Sequence, residues 1–408
     1  MRIPVVCLVL LALTQTCPGA DNDRPDLKSL YDARRWFELR DSVANATAPV
    51  PVFYQGAVAC AFNDLHRCEK KLAPVIKSFP PSDDAIEAHR LLASAYVRLG
   101  KYRKALAQVT ALLALRPGDS DARDDLPLLA ALGEFPDQEV VRRRSTTLRL
   151  QDAGLPISIN GVPATYWFDT GADVSVLSES EAKNFGLRVL AVPIKVGGVS
   201  GAQADSRIAV ADDLSIGSIR LRHVAFLVFS DDQPPFNQSP PGSRGLVGIP
   251  VLLALQRFEW GADRNFKIGS KSSIQGAPHA DLCFDGHHPV AQIQFENRSL
   301  ALTVDTGATN TDLYPPFAAA FPDLIRTAAK TDLYKTEGVG GARNMDAATL
   351  SSLHFSIGGF LAVLSPAAVL LTHTTESSKF FHGNLGIDLL QQAHQTAFDF
   401  KAMTLTLQ

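Results

Sequence analysis

The sequence predicts two kinds of fold in one chain: an all-α N-terminal region of paired helices, then a mostly-β region built as two copies of one unit. Three observations predict it. Residues 21–142 carry long apolar spacing of helical period, whereas the later residues fall into short apolar runs split by Gly, Asn and Pro. The stretch WFDTGADVSVL at 167–177 returns as TVDTGATNTDL at 303–313, each with Asp-Thr-Gly-Ala after an apolar run. The surroundings of the two copies also repeat in one order, which marks an internal duplication.

Residues 1–20, with Arg2, an apolar run from Val5 to Leu13 and Gly19-Ala20, have the layout of a secretory signal peptide cleaved near Ala20. Export to a periplasmic or extracellular space follows. A lipoprotein at Cys17 fits less well, because Thr16 stands where a small residue is required, and an uncleaved anchor is the remaining alternative. Nothing later reads as an integral membrane span: the longest apolar run, Phe360–Leu371, is short and interrupted by Ser365-Pro366.

Within 21–142, residues 88–117 place Leu92, Ala93, Tyr96, Gly100, Tyr102, Ala105 and Pro117 at the spacings of a tetratricopeptide repeat, which this segment resembles. A weaker copy precedes it through Gly56, Ala59, Cys68, Leu72 and Pro80, and residues 26–44 read as a degenerate first hairpin. Such repeats present a groove to a peptide or protein; the alternative is a helical cap that only packs on the rest. In this alignment Cys60 ends one helix and Cys68 begins the next, so the two could pair in an oxidising compartment, with distance deciding. Residues 118–144 read as a final helix leading to a junction, closed by Arg142-Arg143-Arg144. Whether the helical region is a propeptide or a permanent domain stays open.

The duplicated units are assigned to 143–277 and 278–408. Each Asp-Thr-Gly-Ala follows two apolar runs split by a turn, at Asn160-Gly161 in the first and Glu296-Asn297 in the second. Glycine-rich hairpins come next, with Gly197, Gly198 and Gly201 in one copy and Gly338, Gly340 and Gly341 in the other. Then GLVGIPVL (245–252) matches GNLGIDLL (383–390), and short strand-like runs close each copy near Phe258–Trp260 and Phe398–Phe400.

On these motifs each half resembles a retropepsin, the retroviral-type aspartic protease subunit, across residues 145–408. The resemblance implies a bilobal, pseudo-twofold acid-protease barrel fold and an aspartic endopeptidase whose catalytic residues are Asp169 and Asp305. Two carboxylates held close share one proton, so one serves as base and the other as acid. Thr170, Gly171 and Ala172, with Thr306, Gly307 and Ala308, would support the loops, the threonines bonding across the lobe interface. The glycine-rich hairpins would be flaps that bind substrate. No metal or cofactor is required, and a monomer suffices. The second copy departs from the first where Val174 and Val176 become Asn310 and Asp312, which leaves packing there open. The competing reading is a non-catalytic peptide-binding or scaffold protein with a protease-like fold.

A net charge of −3 argues against nucleic acid as a partner. The segment 278–290 holds His279, Cys283, His287 and His288, and reads as an interlobe linker with a buried thiol in preference to a zinc site. No Gly-x-Ser-x-Gly elbow is present.

Overall fold

A computed structural model describes residues 26–78, 81–151, 154–197, 203–234, 236–270, 280–338 and 341–408. Residues 1–20, expected to be a signal peptide, and Pro80, Gly198, Gly201, His279 and Gly340 lie outside these described residues.

The N-terminal region folds into helices α1 (Leu27–Asp32), α2 (Trp36–Ala44), α3 (Val52–Ala61), α4 (Leu65–Ile76), α5 (Asp83–Arg98), α6 (Tyr102–Leu115) and α7 (Ser120–Leu132). Local chemistry starts the longer ones. The Asp64, Ser82 and Asp119 side chains accept the first free backbone N–H groups of α4, α5 and α7. Asn63, in the left-handed region at φ 59°, turns the chain between α3 and α4. A Cβ on Gly56 would meet Leu72 Cδ2 at 2.4 Å, so glycine is what permits the close approach of those two helices. Across the same turn Cys60 and Cys68 form a disulfide. No described helix is long and apolar enough to cross a membrane.

The final helix is shorter than the sequence suggests. α7 ends at Leu132 with Gly133 as its cap, and Pro136 stands in the next few residues. Glu139–Arg142 then forms an edge strand paired with Ile219–Arg222 of the first β half. An edge strand with mostly exposed side chains carries no alternating pattern to read in advance.

The β region repeats one topology. In the first half Leu155–Ile159 and Val162–Phe168 form a hairpin with Asn160 and Gly161 at φ 49° and 84°, the pair of positive values a two-residue turn requires. The sheet continues from Val162–Phe168 through Gly245–Val247, Ser175–Ser178, Val224–Phe229 and Gln203–Ala211 to Val189–Gly197. In the second half the hairpin is His288–Phe295 with Arg298–Val304. Its sheet continues through Gly383–Leu385, Asp312–Leu313, Ala367–Leu370 and Gly341–Leu350 to Ala329–Gly338. Each sheet curls as half a barrel.

Strands from both halves join in a third sheet, ordered Thr146–Arg149, Asn265–Ile268, Arg257–Gly261, Gln395–Asp399, Thr404–Leu407. There Phe258 pairs with Phe398, their rings stacked 5.3 Å apart, and Phe168 packs edge-on to Trp260 at 5.1 Å. Each such buried ring contributes about 1.5–3 kcal/mol relative to exposure. Because Phe168 immediately precedes Asp169, this core fixes the base of the first loop.

The helical region is seated on the start of the second half. Arg98, 3% exposed, donates to the carbonyls of Cys60 at 2.8 Å and Gly286 at 2.5 Å, with its guanidinium 4.5 Å from the Phe284 ring centroid. Arg34 and Trp36 both donate to Asp285 Oδ1, at 2.9 and 3.0 Å. Cys283, next to these contacts, is a free and fully buried thiol.

Candidate active site

The two Asp-Thr-Gly-Ala loops meet tip to tip between the halves. Thr170 N donates to Thr306 Oγ1 at 3.1 Å and Thr306 N to Thr170 Oγ1 at 3.0 Å. Each hydroxyl in turn donates across the interface, Thr170 Oγ1 to the Val304 carbonyl and Thr306 Oγ1 to the Phe168 carbonyl, both at 2.7 Å. Both threonines are fully buried, so these bonds are made where water cannot replace them.

The rest of each loop is braced by its own half. Asp169 N donates to the Val247 carbonyl and Asp305 N to that of Leu385, both at 2.9 Å. Ile249 N and Ile387 N donate to the Ala172 and Ala308 carbonyls, again both at 2.9 Å. Ser175 Oγ accepts from Gly248 N at 3.0 Å, and Thr311 Oγ1 from Gly386 N at 2.9 Å. A Cβ on Gly248 would lie 2.6 Å from the Ala172 carbonyl oxygen, and one on Gly386 2.6 Å from Asn310, so both positions need glycine.

This bracing brings the carboxylates of Asp169 and Asp305 face to face. An added Cβ on Gly171 would lie 2.6 Å from Asp305 Cγ, and one on Gly307 2.5 Å from Asp169 Cγ. Each carboxylate therefore sits against the glycine of the opposite loop. Gly171 N donates to Asp169 Oδ1 at 2.8 Å; Gly307 N and Ala308 N donate to Asp305 Oδ1 at 2.9 and 3.0 Å. Burial, then repulsion from Asp305, pushes the Asp169 carboxyl well above the usual carboxylate range. Such a pair holds one proton over the pH range in which isolated carboxylates have lost theirs.

Around this symmetric centre the halves differ. In the first, Trp167, Leu246 and Val176 lie side by side across three strands; in the second, the same row is Thr303, Asn384 and Asp312. Thr303 Oγ1 donates to Asn384 Oδ1 at 2.7 Å, and Asn384 Nδ2 donates to Asp305 Oδ2 at 3.4 Å. At the row's far end Tyr334 donates its hydroxyl to Asp312 Oδ1. Burial raises Asp312 to about 6 despite that bond. The polar substitutions at 310 and 312 are thus accommodated differently: Asn310 is exposed, and Asp312 is half-buried against the hairpin strand that carries Tyr334.

The glycine-rich hairpins are the strand pairs Val189–Gly197 with Gln203–Ala211, and Ala329–Gly338 with Gly341–Leu350. Gly197, Gly338 and Gly341 lie at their described tips, Gly341 at φ 107°. Val174, Val176, Ile194 and Ala204 of the first half belong to one continuous buried cluster with Leu129 and Leu132 of α7. The apolar face next to the first loop is therefore shared with the helical region.

Residues from opposite halves also meet beside the first loop. His287 Nδ1 lies 3.3 Å from Asp173 Oδ2, and His288 Nε2 3.7 Å from Asp173 Oδ1. Burial alone would raise Asp173, but the two imidazoles hold it at about 2. Burial opposes the charged form of His287, and Asp173 outweighs it to raise that imidazole. Sequence reading placed both histidines on an interlobe linker, whereas Leu282–Asp285 and His288–Phe295 pair as antiparallel strands with His287 in the turn between them; an ion pair between residues this far apart in the chain has no local signature. The Asn384 contact was visible only as a mismatch between GLVG and GNLG.

Residues 155–251 match the family model for aspartyl proteases. No curated protein matches the chain. Among solved structures, one that is similar is a retropepsin-like aspartic protease from Rickettsia conorii, 16% identical, covering 32% of this chain and 92% of that one at a TM-score of 0.22. Another is the EIAV protease complexed with the inhibitor HBY-793, 20% identical, covering 26% of this chain and 86% of that one at a TM-score of 0.19.

Proposed function

We propose that this chain is an exported aspartic endopeptidase with both catalytic carboxylates, Asp169 and Asp305, on one polypeptide. The observation that carries the reading is the placement of each carboxylate against the glycine of the opposite loop, locked by the reciprocal threonine bonds. The aspartyl-protease match over 155–251 supports a protease function. One carboxylate takes a proton from water while the other gives one to the peptide carbonyl oxygen, and the roles reverse as the amine leaves. A peptide lies extended between the loops and the two hairpins, its main chain bonded to strand edges. One chain supplies the whole site, and neither metal nor organic cofactor enters the step. The helical region, in this reading a set of tetratricopeptide-like hairpins, docks a protein partner or the substrate.

A second reading, peptide binding without cleavage, draws on one observation: the buried cluster that joins α7 to Val174, Val176 and Ile194 covers part of the first half's apolar face. A diverse peptide library separates the two. Cleavage by the mature protein between about pH 3 and pH 7, absent in both Asp169→Asn and Asp305→Asn, supports the protease. Peptide capture with no new termini supports binding alone.

A further inference from the structure

The two loops are near copies, yet a proton shared by two carboxylates needs a reason to reside on one of them. Backbone N–H groups act on both carboxylates: Gly171 and Ala172 on Asp169, Gly307 and Ala308 on Asp305 Oδ1. The side-chain partners differ. Asp305 Oδ2 faces the amide of Asn384 at 3.4 Å, whereas the position equivalent to Asn384 beside Asp169 is Leu246, which has no donor. Thr303 Oγ1, buried one strand away, donates to Asn384 Oδ1 at 2.7 Å, in closer contact than with the Gly383 carbonyl at 3.3 Å, and this orientation directs Nδ2 at Asp305; its counterpart in the first half is Trp167.

We propose that Asn384 is a positioning residue that makes the dyad unequal: by donating to Asp305 Oδ2 it holds Asp305 ionised and leaves the shared proton on Asp169. The inference rests on the protease reading and adds the assignment of roles. An N–H donated to a carboxylate stabilises the charged form and does nothing comparable for the acid. Asp305 then accepts the proton of water as the water oxygen bonds to the peptide carbonyl carbon. The carbonyl π pair moves to its oxygen, which takes the proton of Asp169, and a neutral gem-diol results. The titratable groups facing Asp305 are Asp169 from the opposite loop and Tyr314; Asp312 lies further along the polar row, with Asp388, bonded to Thr311, near it. All of these are acids, so none supplies the positive charge that would favour an ionised Asp305 in place of the amide.

The test is a carbon-13 NMR titration of aspartate carboxyl groups in the full mature chain from about pH 3 to pH 8, with Asp169→Asn and Asp305→Asn assigning the two resonances. In the wild type Asp305 ionises first. Asn384→Leu, which installs the residue of the first half, raises the Asp305 midpoint by about 0.5–1 pH unit, and Thr303→Val moves it in the same direction by less. A role confined to packing lowers the melting temperature but leaves the order and midpoints in place. Ionisation of Asp169 first, or an Asp305 midpoint unmoved in Asn384→Leu, overturns the assignment. The protease reading stands or falls separately, on whether peptide cleavage disappears in the two aspartate variants.

Discussion

Replacing Thr170 by Val tests the threonine lock at the centre of the site. Valine keeps the shape but removes the hydroxyl, which deletes two bonds: Thr306 N to Thr170 Oγ1 at 3.0 Å and Thr170 Oγ1 to the Val304 carbonyl at 2.7 Å. Both abandoned partners are backbone groups in the buried interface, and each costs about 1–3 kcal/mol when left unpaired. The expected loss is therefore about 2–6 kcal/mol, the lower end if the interface relaxes around the valine methyl. Thr170→Ser keeps both bonds and loses one buried methyl, a cost of about 1 kcal/mol. Urea unfolding followed by tryptophan fluorescence measures both, with Trp260 in the sheet that joins the halves as reporter. Proteolytic rate should fall more steeply than stability, because the lock also sets the separation of the two carboxylates. A Thr170→Val protein within about 0.5 kcal/mol of wild type, or a Thr170→Ser protein equally impaired, would show that the hydroxyl bonds do not hold the loops together.

Further outcomes follow from the same geometry. Gly171→Ala places a methyl 2.6 Å from Asp305 Cγ, so activity falls by at least about a hundredfold while far-UV circular dichroism is retained. His287→Gln removes an interlobe ion pair with a defined pH window. The Asp173 contribution is present above its unfolded value of about 4 and is lost as pH falls through its folded value of about 2; the His287 contribution is complete below about 6.5 and is lost as pH rises through its raised folded value. The variant should thus lose most stability near pH 5 and progressively less as pH rises through the raised His287 value, as read by melting temperature across pH. Cys60→Ser with Cys68→Ser opens a loop of sequence separation 8, and the helical region should lose about 2.5 kcal/mol by denaturant unfolding.

What could be read from the sequence tracks how local each requirement is. The Asp-Thr-Gly-Ala loops were legible because glycine and threonine there answer backbone demands: a close approach at Gly171 and Gly307, and a donor-acceptor hydroxyl at Thr170 and Thr306. Asn160-Gly161 announced its hairpin for the same reason, since both residues adopt positive φ. Cys60 and Cys68 were legible as a candidate pair once the helices around them were placed. The strand at Glu139–Arg142 was not, because an edge strand with exposed side chains imposes no pattern on its sequence. Nor were the contacts of Asp173 with His287 and His288, or of Asp312 with Tyr334, which depend on how distant segments fold together. The replacement of Val176 by Asp312 left packing open in the sequence, because the Tyr334 hydroxyl that satisfies it lies on another hairpin.

In the proposed reading one chain carries a complete site made from both halves. Mixing Asp169→Asn with Asp305→Asn protein checks this, read as the cleavage rate of a susceptible peptide. If the dyad is intramolecular, each variant is inactive and the equimolar mixture remains so, while the specific activity of wild type is unchanged on dilution. Recovery of activity in the mixture would mean that Asp169 of one chain works with Asp305 of another, and that a single chain does not hold the whole site.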